Sequence, residues 1–333
     1  MADITVSLTR SMTTDVQINN GAFENALVAH KESLWMYDIS LPSAFIKALN
    51  SQIDPDHLIG IAPGEPAKSW DGLQTIMTRL DALDITPDTP VVGLGGGALC
   101  DVVSFAASVY LRGLPLVLIP TTLLAMVDAS VGGKTAINTT AKNRVGSFYP
   151  AQTVIIDSHF LTTLSPERMA EGFSEIIKMA VTMDATLTEA LETNALDIDA
   201  IIGQAIQLKA AIVEKDLTDQ GIRRLLNFGH TTGHALETLH DYAFSHGRCV
   251  ASGMLMEVAD PPLKKRLKAL LDMYECYAPI PYEKAALLEQ IKTDKKRSKQ
   301  TLTWIHLRRI GHAELEEIVL TDLAQYIPRY EEL

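Results

Sequence analysis

Glu175-Ile-Ile-Lys178, Asn227-Phe-Gly-His230-Thr-Thr-Gly-His234 and Ser245-His246-Gly247 bring together side-chain types that can hold a metal. A carboxylate and two imidazoles suit a catalytic divalent metal, because three protein ligands leave a coordination position open for substrate. His230 and His234 stand four residues apart, so on a helix both project from one face toward one ion. His246 follows in a separate Ser-His-Gly turn, and spacing does not select which two of the three histidines hold the metal. Glu175 and Lys178 also share a helical face, an arrangement that in isolation reads as a solvent-facing ion pair. Cationic side chains around such a site point to an anionic substrate.

Three further segments carry groups suited to phosphates. Gly93-Leu-Gly95-Gly96-Gly97-Ala-Leu-Cys100-Asp101 follows a β-like run and opens a helical stretch. Glycines there let backbone approach a pyrophosphate at a helix N-terminus; the same run also serves as a tight turn, and it does not match the spaced GxGxxG fingerprint. Pro63-Gly-Glu65-Pro-Ala-Lys68-Ser69 reads on its own as a turn with a solvated charge pair. Pro120-Thr121-Thr122, Asp128 and Gly132-Gly133-Lys134 place acceptor, flexible backbone and cation within one short stretch. Lys209, Arg223, Lys295, Lys296 and Arg297 taken singly read as solvated helix charges, and His30, His57, His159, His240, His306 and His312 lack comparable company.

The bulk composition narrows the setting for this chemistry. The chain has 333 residues, 47% hydrophobic and 21% charged, which is ordinary for a globular protein with a large core. A net charge of -12 disfavours a nucleic-acid or anionic-membrane surface, so any anion site must be local. Cys100, Cys249 and Cys276 fit neither a CxxC metal pattern nor a disulfide framework, and the start of the chain lacks the pattern of a signal peptide. A cytoplasmic location is the resulting expectation.

Positioning these groups requires a scaffold, and the first half supplies alternating β-like and helical runs, the pattern of a parallel sheet wrapped by helices. The β-like runs are Leu34–Ser40, Leu58–Ala62, Pro90–Gly93, Leu116–Ile119 and Thr153–Asp157, and residues 71–84 carry apolar positions at helical period. From about residue 165 helical periodicity dominates, through 166–182, 197–216, 228–240, 247–258, 263–275 and 281–292. Pro261-Pro262 marks a break, and strand-like residues return at Leu302–His306 and Glu317–Leu320. The expected fold is α/β: a Rossmann-like nucleotide-binding domain over 1–164 and a mostly α-helical metal- and substrate-binding domain over 165–333.

Taken in order, Gly95-Gly-Gly-Ala-Leu-Cys-Asp101, Tyr110-Leu-Arg112-Gly113, Pro120 to Asp128, Ser130 to Thr135, Lys142-Asn143, Glu175-Ile-Ile-Lys178, Asn227 to His234, His246-Gly247 and Asp294-Lys-Lys296 resemble the 3-dehydroquinate synthases. The resemblance runs from about residue 63 to 296 and is weak over residues 1–60, where Asp38 is the one position to align. It implies an NAD- and metal-dependent lyase of the shikimate pathway, converting 3-deoxy-D-arabino-heptulosonate 7-phosphate to 3-dehydroquinate and phosphate. The implied sequence is oxidation of the C5 hydroxyl, β-elimination of phosphate, re-reduction, ring opening and intramolecular aldol closure.

By position, the resemblance assigns Glu175, His230 and His246 to one zinc or cobalt ion and His234 to the phosphate region. It places Lys134, Lys142, Asn143 and Lys296 (or Lys295) near the phosphate, and Lys209 and Arg223 on the substrate carboxylate. Asp128, Lys178 and Asn227 complete the shell around the hydroxyls. It gives the cofactor Asp38, Glu65, Lys68, Gly96, Gly97, Asp101, Thr121, Thr122 and Thr163, with Lys134 and Asn143 shared. It also implies a homodimer in which Arg112 reaches the neighbouring subunit's site. The chain departs from the family at Arg248, where an acid is usual, at Cys100 for glycine, and in shorter 134–142 and 255–280 segments. Another sugar phosphate cyclase, a metal-dependent polyol dehydrogenase and a non-catalytic binding module are the competing readings.

Overall fold

The computed structural model describes residues 12–295 and 300–330. The first half runs β1 (Asp15–Ile18), α1 (Ala22–Ala29), β2 (Leu34–Asp38), α2 (Ser43–Gln52), β3 (Leu58–Ile61), α3 (Trp70–Ala82), β4 (Val91–Gly95), α4 (Gly97–Val109), β5 (Leu116–Pro120), β6 (Lys134–Ile137), β7 (Val145–Phe148) and β8 (Thr153–Ile156). The second runs α5 (Pro166–Met183), α6 (Ala185–Thr193), α7 (Ile198–Val213), α8 (His230–Leu239), α9 (His246–Glu257), α10 (Pro261–Met273), α11 (Lys284–Lys295), β9 (Thr301–Arg309) and β10 (His312–Val319).

Six strands form one sheet in the order β1-β8-β5-β4-β2-β3, with every pairing parallel. Central strands of such a sheet are covered on both faces, which is why β4 (Val-Val-Gly-Leu-Gly) and β5 (Leu-Val-Leu-Ile-Pro) are buried at all five positions. The edge strand β1 instead alternates exposed and half-buried residues, Asp-Val-Gln-Ile, and escapes a search for apolar runs. The sequence also did not disclose the antiparallel β6–β7 hairpin, whose four-residue strands are too short and too polar to carry a clear period. A further hairpin, β9–β10, is longer than the strand-like residues suggested.

The expected helical second half is present, and α5 lies at its centre. Ser165 accepts a hydrogen bond from the Arg168 backbone N–H at 3.3 Å and Pro166 occupies the first turn, two features that start a helix cleanly. Beyond that turn α5 is buried almost all round, including Glu175 and Lys178. Pro261 and Pro262 open α10, so the break read at that position is the gap between α9 and α10. Among the described residues no helix is long and apolar enough to cross a membrane.

Candidate active site

Neighbouring β2 and β4 bring Asp38 and Gly95 together at their carboxyl ends, where an open α/β sheet binds its ligand if the connections diverge. From β2 the chain passes outward to β3, and from β4 the other way to β5, so the connections diverge here. Gly96 caps α4 and Gly97 begins it. A methyl added to Gly96 would stand 3.4 Å from the Thr122 Cγ2, so the glycine turn and the Thr121-Thr122 segment adjoin. Lys68 is buried and ion-paired with Asp101, which corrects the reading of a solvated charge pair with Glu65. Burial pushes the Asp101 carboxyl up to about 6 against the pull of Lys68. Glu65 instead accepts a 2.5 Å hydrogen bond from the Asn138 side chain. Thr163 turns back on its own segment, its hydroxyl donating to the Phe160 carbonyl at 2.8 Å.

Deeper in, Glu175 and Lys178 form a buried ion pair, with Glu175 1% and Lys178 2% exposed, not the solvent-facing pair that isolated spacing suggests. Lys178 engages Oε2 of Glu175, while Oε1 is buried with no hydrogen-bond partner. An unpaired buried carboxylate oxygen is costly, and here it faces two imidazoles. His230 Nε2 lies 3.6 Å and His246 Nε2 3.8 Å from that oxygen.

The other nitrogen of each ring is occupied elsewhere. His230 Nδ1 sits 3.2 Å from the Phe228 carbonyl, and His246 Nδ1 sits 2.6 Å from Glu237 Oε1. Acceptors at both Nδ1 atoms favour protonation there and leave the Nε2 lone pairs directed at Glu175, the arrangement that orients metal-binding histidines. Burial and the Lys178 ammonium hold His230 well below the usual histidine range, so its ring is neutral. Burial would lower His246 too, but Glu237 and Glu175 outweigh it and raise the ring. The donor set of one orphaned carboxylate oxygen and two directed imidazoles fits a divalent metal. His234 stays close, its ring 5.2 Å from His230 and 5.7 Å from His246, and the three imidazoles alone also form a possible metal group.

Local backbone makes this convergence possible. Gly229 caps α8 with φ 75°, a left-handed value, and an added methyl would lie 2.5 Å from Met254 Cγ and 2.6 Å from the Val250 carbonyl. Glycine therefore lets the start of α8, where His230 stands, pack closely on α9 one to two turns past His246. No side chain of α8 caps its own first turn; Glu257, from the end of α9, does so. Its carboxylate accepts from the Gly229 N–H at 2.8 Å, the Thr232 N–H at 3.4 Å and the Thr232 hydroxyl at 3.0 Å. Arg248, the residue where an acid is usual, donates to the Ala278 and Pro279 carbonyls and ties down the segment before α11.

Beside the histidines opens a cavity of about 570 Å³, lined among others by Asp101, Asp128, Lys134, Asn143, Lys178, Lys209, Arg223, Asn227 and His230. Lys209 and Arg223, read singly as solvated helix charges, are only 4% and 3% exposed. Lys209 reaches Asp128 Oδ1 at 2.5 Å and also the Asp128 carbonyl. Asp128 sits in a five-residue π-helical turn, Ala125–Ala129, a form often found at functional sites. Burial alone would raise its carboxyl, but Lys209 and Lys178 outweigh burial and hold it below the usual range. Arg223 donates to the Leu217 carbonyl at 2.6 Å and the Gly132 carbonyl at 3.0 Å.

At the rim, Lys134 pairs with Asp219 at 2.5 Å, and Lys142 lies 3.6 Å from Glu237 and 4.2 Å from the centre of the Tyr242 ring. Arg112 is exposed and does not line this cavity; it and Leu111 hold left-handed backbone, φ 68° and 46°, in a surface turn. Lys296 lies outside the described residues. Sequence reasoning missed Glu237, Glu257 and Arg144, which also lines the cavity. Glu237 had a signal, since positions 230, 234 and 237 fall on one face of α8.

Residues 58–171 match the family model for the 3-dehydroquinate synthase N-terminal region, and residues 172–297 match that for its C-terminal region. A 3-dehydroquinate synthase of Methylacidiphilum infernorum is 38% identical over 312 residues, covering 87% of this chain and 86% of that protein. One from Helicobacter pylori strain P12 is 40% identical over 270 residues, covering 77% and 78%. Among solved structures, 2-epi-5-epi-valiolone synthase from Streptomyces hygroscopicus subsp. jinggangensis 5008, with NAD+ and Zn2+ bound, superposes with a TM-score of 0.85 at 24% identity over 97% of this chain and 98% of that one. A glycerol dehydrogenase from Schizosaccharomyces pombe shares the fold more distantly, with a TM-score of 0.59 at 16% identity over 96% and 90%. Two adjoining family models that together span most of the chain, and relatives of this identity and coverage, place it: the chain belongs to the 3-dehydroquinate synthase family.

Proposed function

We propose that this chain converts 3-deoxy-D-arabino-heptulosonate 7-phosphate to 3-dehydroquinate and phosphate, using NAD that is regenerated in each turnover and one divalent metal. The observation that carries the reading is the orphaned Glu175 oxygen facing His230 and His246 on the wall of a cavity that also holds Lys134, Lys209 and Arg223. Glu175, His230 and His246 would hold the metal, which when bound polarises a substrate hydroxyl as a Lewis acid. NAD would lie along the glycine turn, with Asp38, Glu65, Lys68, Gly96, Gly97, Asp101, Thr121, Thr122 and Thr163 as its contacts, and would accept and return one hydride.

The chain's own residues divide the remaining work. Arg223 and Lys209 would grip the substrate carboxylate, Arg through a planar fork of donors. Both are already positioned by backbone carbonyls and Asp128, so little side-chain freedom remains to be lost on binding. Asp128, Lys178 and Asn227 would orient the ring hydroxyls. Lys134, Lys142, Asn143, His234 and Lys296 would surround the phosphate, with Arg112 of a second subunit completing the site of a homodimer. Two units, 1–164 and 165–333, would meet at the cleft, and three free buried cysteines accord with a reducing cytoplasm.

A phosphorylated sugar without a carboxylate would leave Lys209 and Arg223 unmatched, which favours the sugar acid over other cyclase substrates. The test supplies heptulosonate 7-phosphate, or glucose 6-phosphate in parallel, with NAD and zinc, and measures phosphate release. Release from the sugar acid alone is expected. Equal release from glucose 6-phosphate would count against the carboxylate assignment, and no release from either would sink the enzymatic reading.

A further inference from the structure

The cavity is lined by five described Lys and Arg side chains, and four of them are already engaged. Lys178 pairs with Glu175, Lys209 with Asp128 and Lys134 with Asp219, while Arg223 donates to two backbone carbonyls. Arg144 is the exception: it has no hydrogen bond or ion pair within the described residues. A guanidinium on a cavity wall without a counter-charge can meet an incoming anion without first giving up a partner. Its planar fork of donors also suits phosphate oxygens better than a lysine ammonium does.

The segment that carries Arg144 is braced. Asn143, just before it, holds left-handed backbone at φ 56°, and its N–H donates to the Asn138 side-chain oxygen at 3.0 Å. Asn138 in turn donates from its backbone to the Lys68 carbonyl at 2.7 Å and from its side chain to Glu65 at 2.5 Å. The loop between β6 and β7 is thereby fastened to the turn that holds Lys68, and Arg144 enters β7 from a fixed base.

We propose that Arg144 is a phosphate-binding residue of this cavity and meets the phosphate of the sugar acid substrate. The identity of that substrate rests on the function proposed above; the availability of Arg144 for phosphate does not. The pyrophosphate of the dinucleotide is the other source of the same chemistry, and the experiment separates the two.

Arg144→Met and Arg144→Lys would be compared with the unaltered protein, each loaded with zinc and NAD. Titration calorimetry with inorganic phosphate, KM for heptulosonate 7-phosphate and the Kd of NAD are the readouts. One charge-assisted hydrogen bond at this position corresponds to a roughly 10- to 100-fold weakening of phosphate binding in Arg144→Met, with a parallel rise in KM. Arg144→Lys should fall between, and NAD affinity should stay within about twofold, well under one such bond. Unchanged phosphate affinity in both variants would overturn the proposal, as would a loss confined to NAD. Should the unaltered protein not turn over the sugar acid, the function proposed above fails, and the phosphate calorimetry still decides the role of Arg144.

Discussion

Glu237→Gln is the most informative single change, because it alters one charge while keeping shape. Glu237 is 4% exposed and its carboxylate stands 2.6 Å from His246 Nδ1. Burial would raise its carboxyl, but the His246 hydrogen bond and nearby cations, Lys142 among them, bring it down to about 2, so it is ionised throughout the neutral range. An ionised acceptor fixes the proton on Nδ1 and makes Nε2 a better donor to a metal. The glutamine amide can still accept at the same place, but without charge, and its NH2 face competes for the same nitrogen. Losing such an outer partner typically weakens a metal site about 10- to 100-fold, or about 1.4 to 2.8 kcal/mol. Competition with a chromophoric chelator at neutral pH measures zinc affinity directly. Equal affinity in Glu237→Gln and the unaltered protein would refute the claim that Glu237 supports His246 as a ligand.

The same carboxylate gives a pH signature in metal-free protein. Its folded pKa lies below the ordinary 4.5, so its contribution is fully present above about pH 4.5 and lost as pH falls toward about 2, on the order of 3 kcal/mol in all. Urea unfolding should show the gap between unaltered protein and Glu237→Gln narrowing below pH 4.5; a constant gap would contradict this. His246→Ala should remove most bound zinc while His234→Ala keeps it; elemental analysis showing the reverse would move His234 into the ligand set. Gly229→Ala forces a methyl against Met254 and the Val250 carbonyl at a left-handed backbone, which should cost several kcal/mol, about 3 or more; an unchanged melting temperature would refute the packing argument. Glu257→Ala strands two N–H groups and a hydroxyl at the start of α8, with an expected loss of about 3 to 5 kcal/mol in thermal or urea unfolding.

The sequence disclosed the site more readily by residue type than by partnership. His230, His234 and His246 stand out because imidazoles are scarce and theirs lie close together in the chain. Glu175 is far from them in sequence, and only the packing of α5 against α9 brings its carboxylate to the rings. Lys209 and Arg223 carried no local sign of burial, since a helix period does not reveal which cation turns inward to meet Asp128 or the Gly132 carbonyl. Family likeness assigned them roles that spacing could not. Buried strands β4 and β5 were legible as apolar runs, whereas β1 alternates at an edge and β6 and β7 are held by tertiary contacts around Lys68 and Asn138. Glu257 left a faint trace, an acid inside the apolar run Met254-Leu-Met-Glu-Val258, and Arg144 left none.

A cyclase returns its hydride within each turnover and a dehydrogenase does not, so the count of products per NAD separates the two. With zinc-loaded protein, heptulosonate 7-phosphate in excess and NAD limiting, phosphate and 3-dehydroquinate should form in equal amounts far beyond the NAD supplied, with no accumulation of NADH absorbance. Product capped at one equivalent per NAD, with NADH rising in step, would rule out the cyclase and identify a dehydrogenase instead.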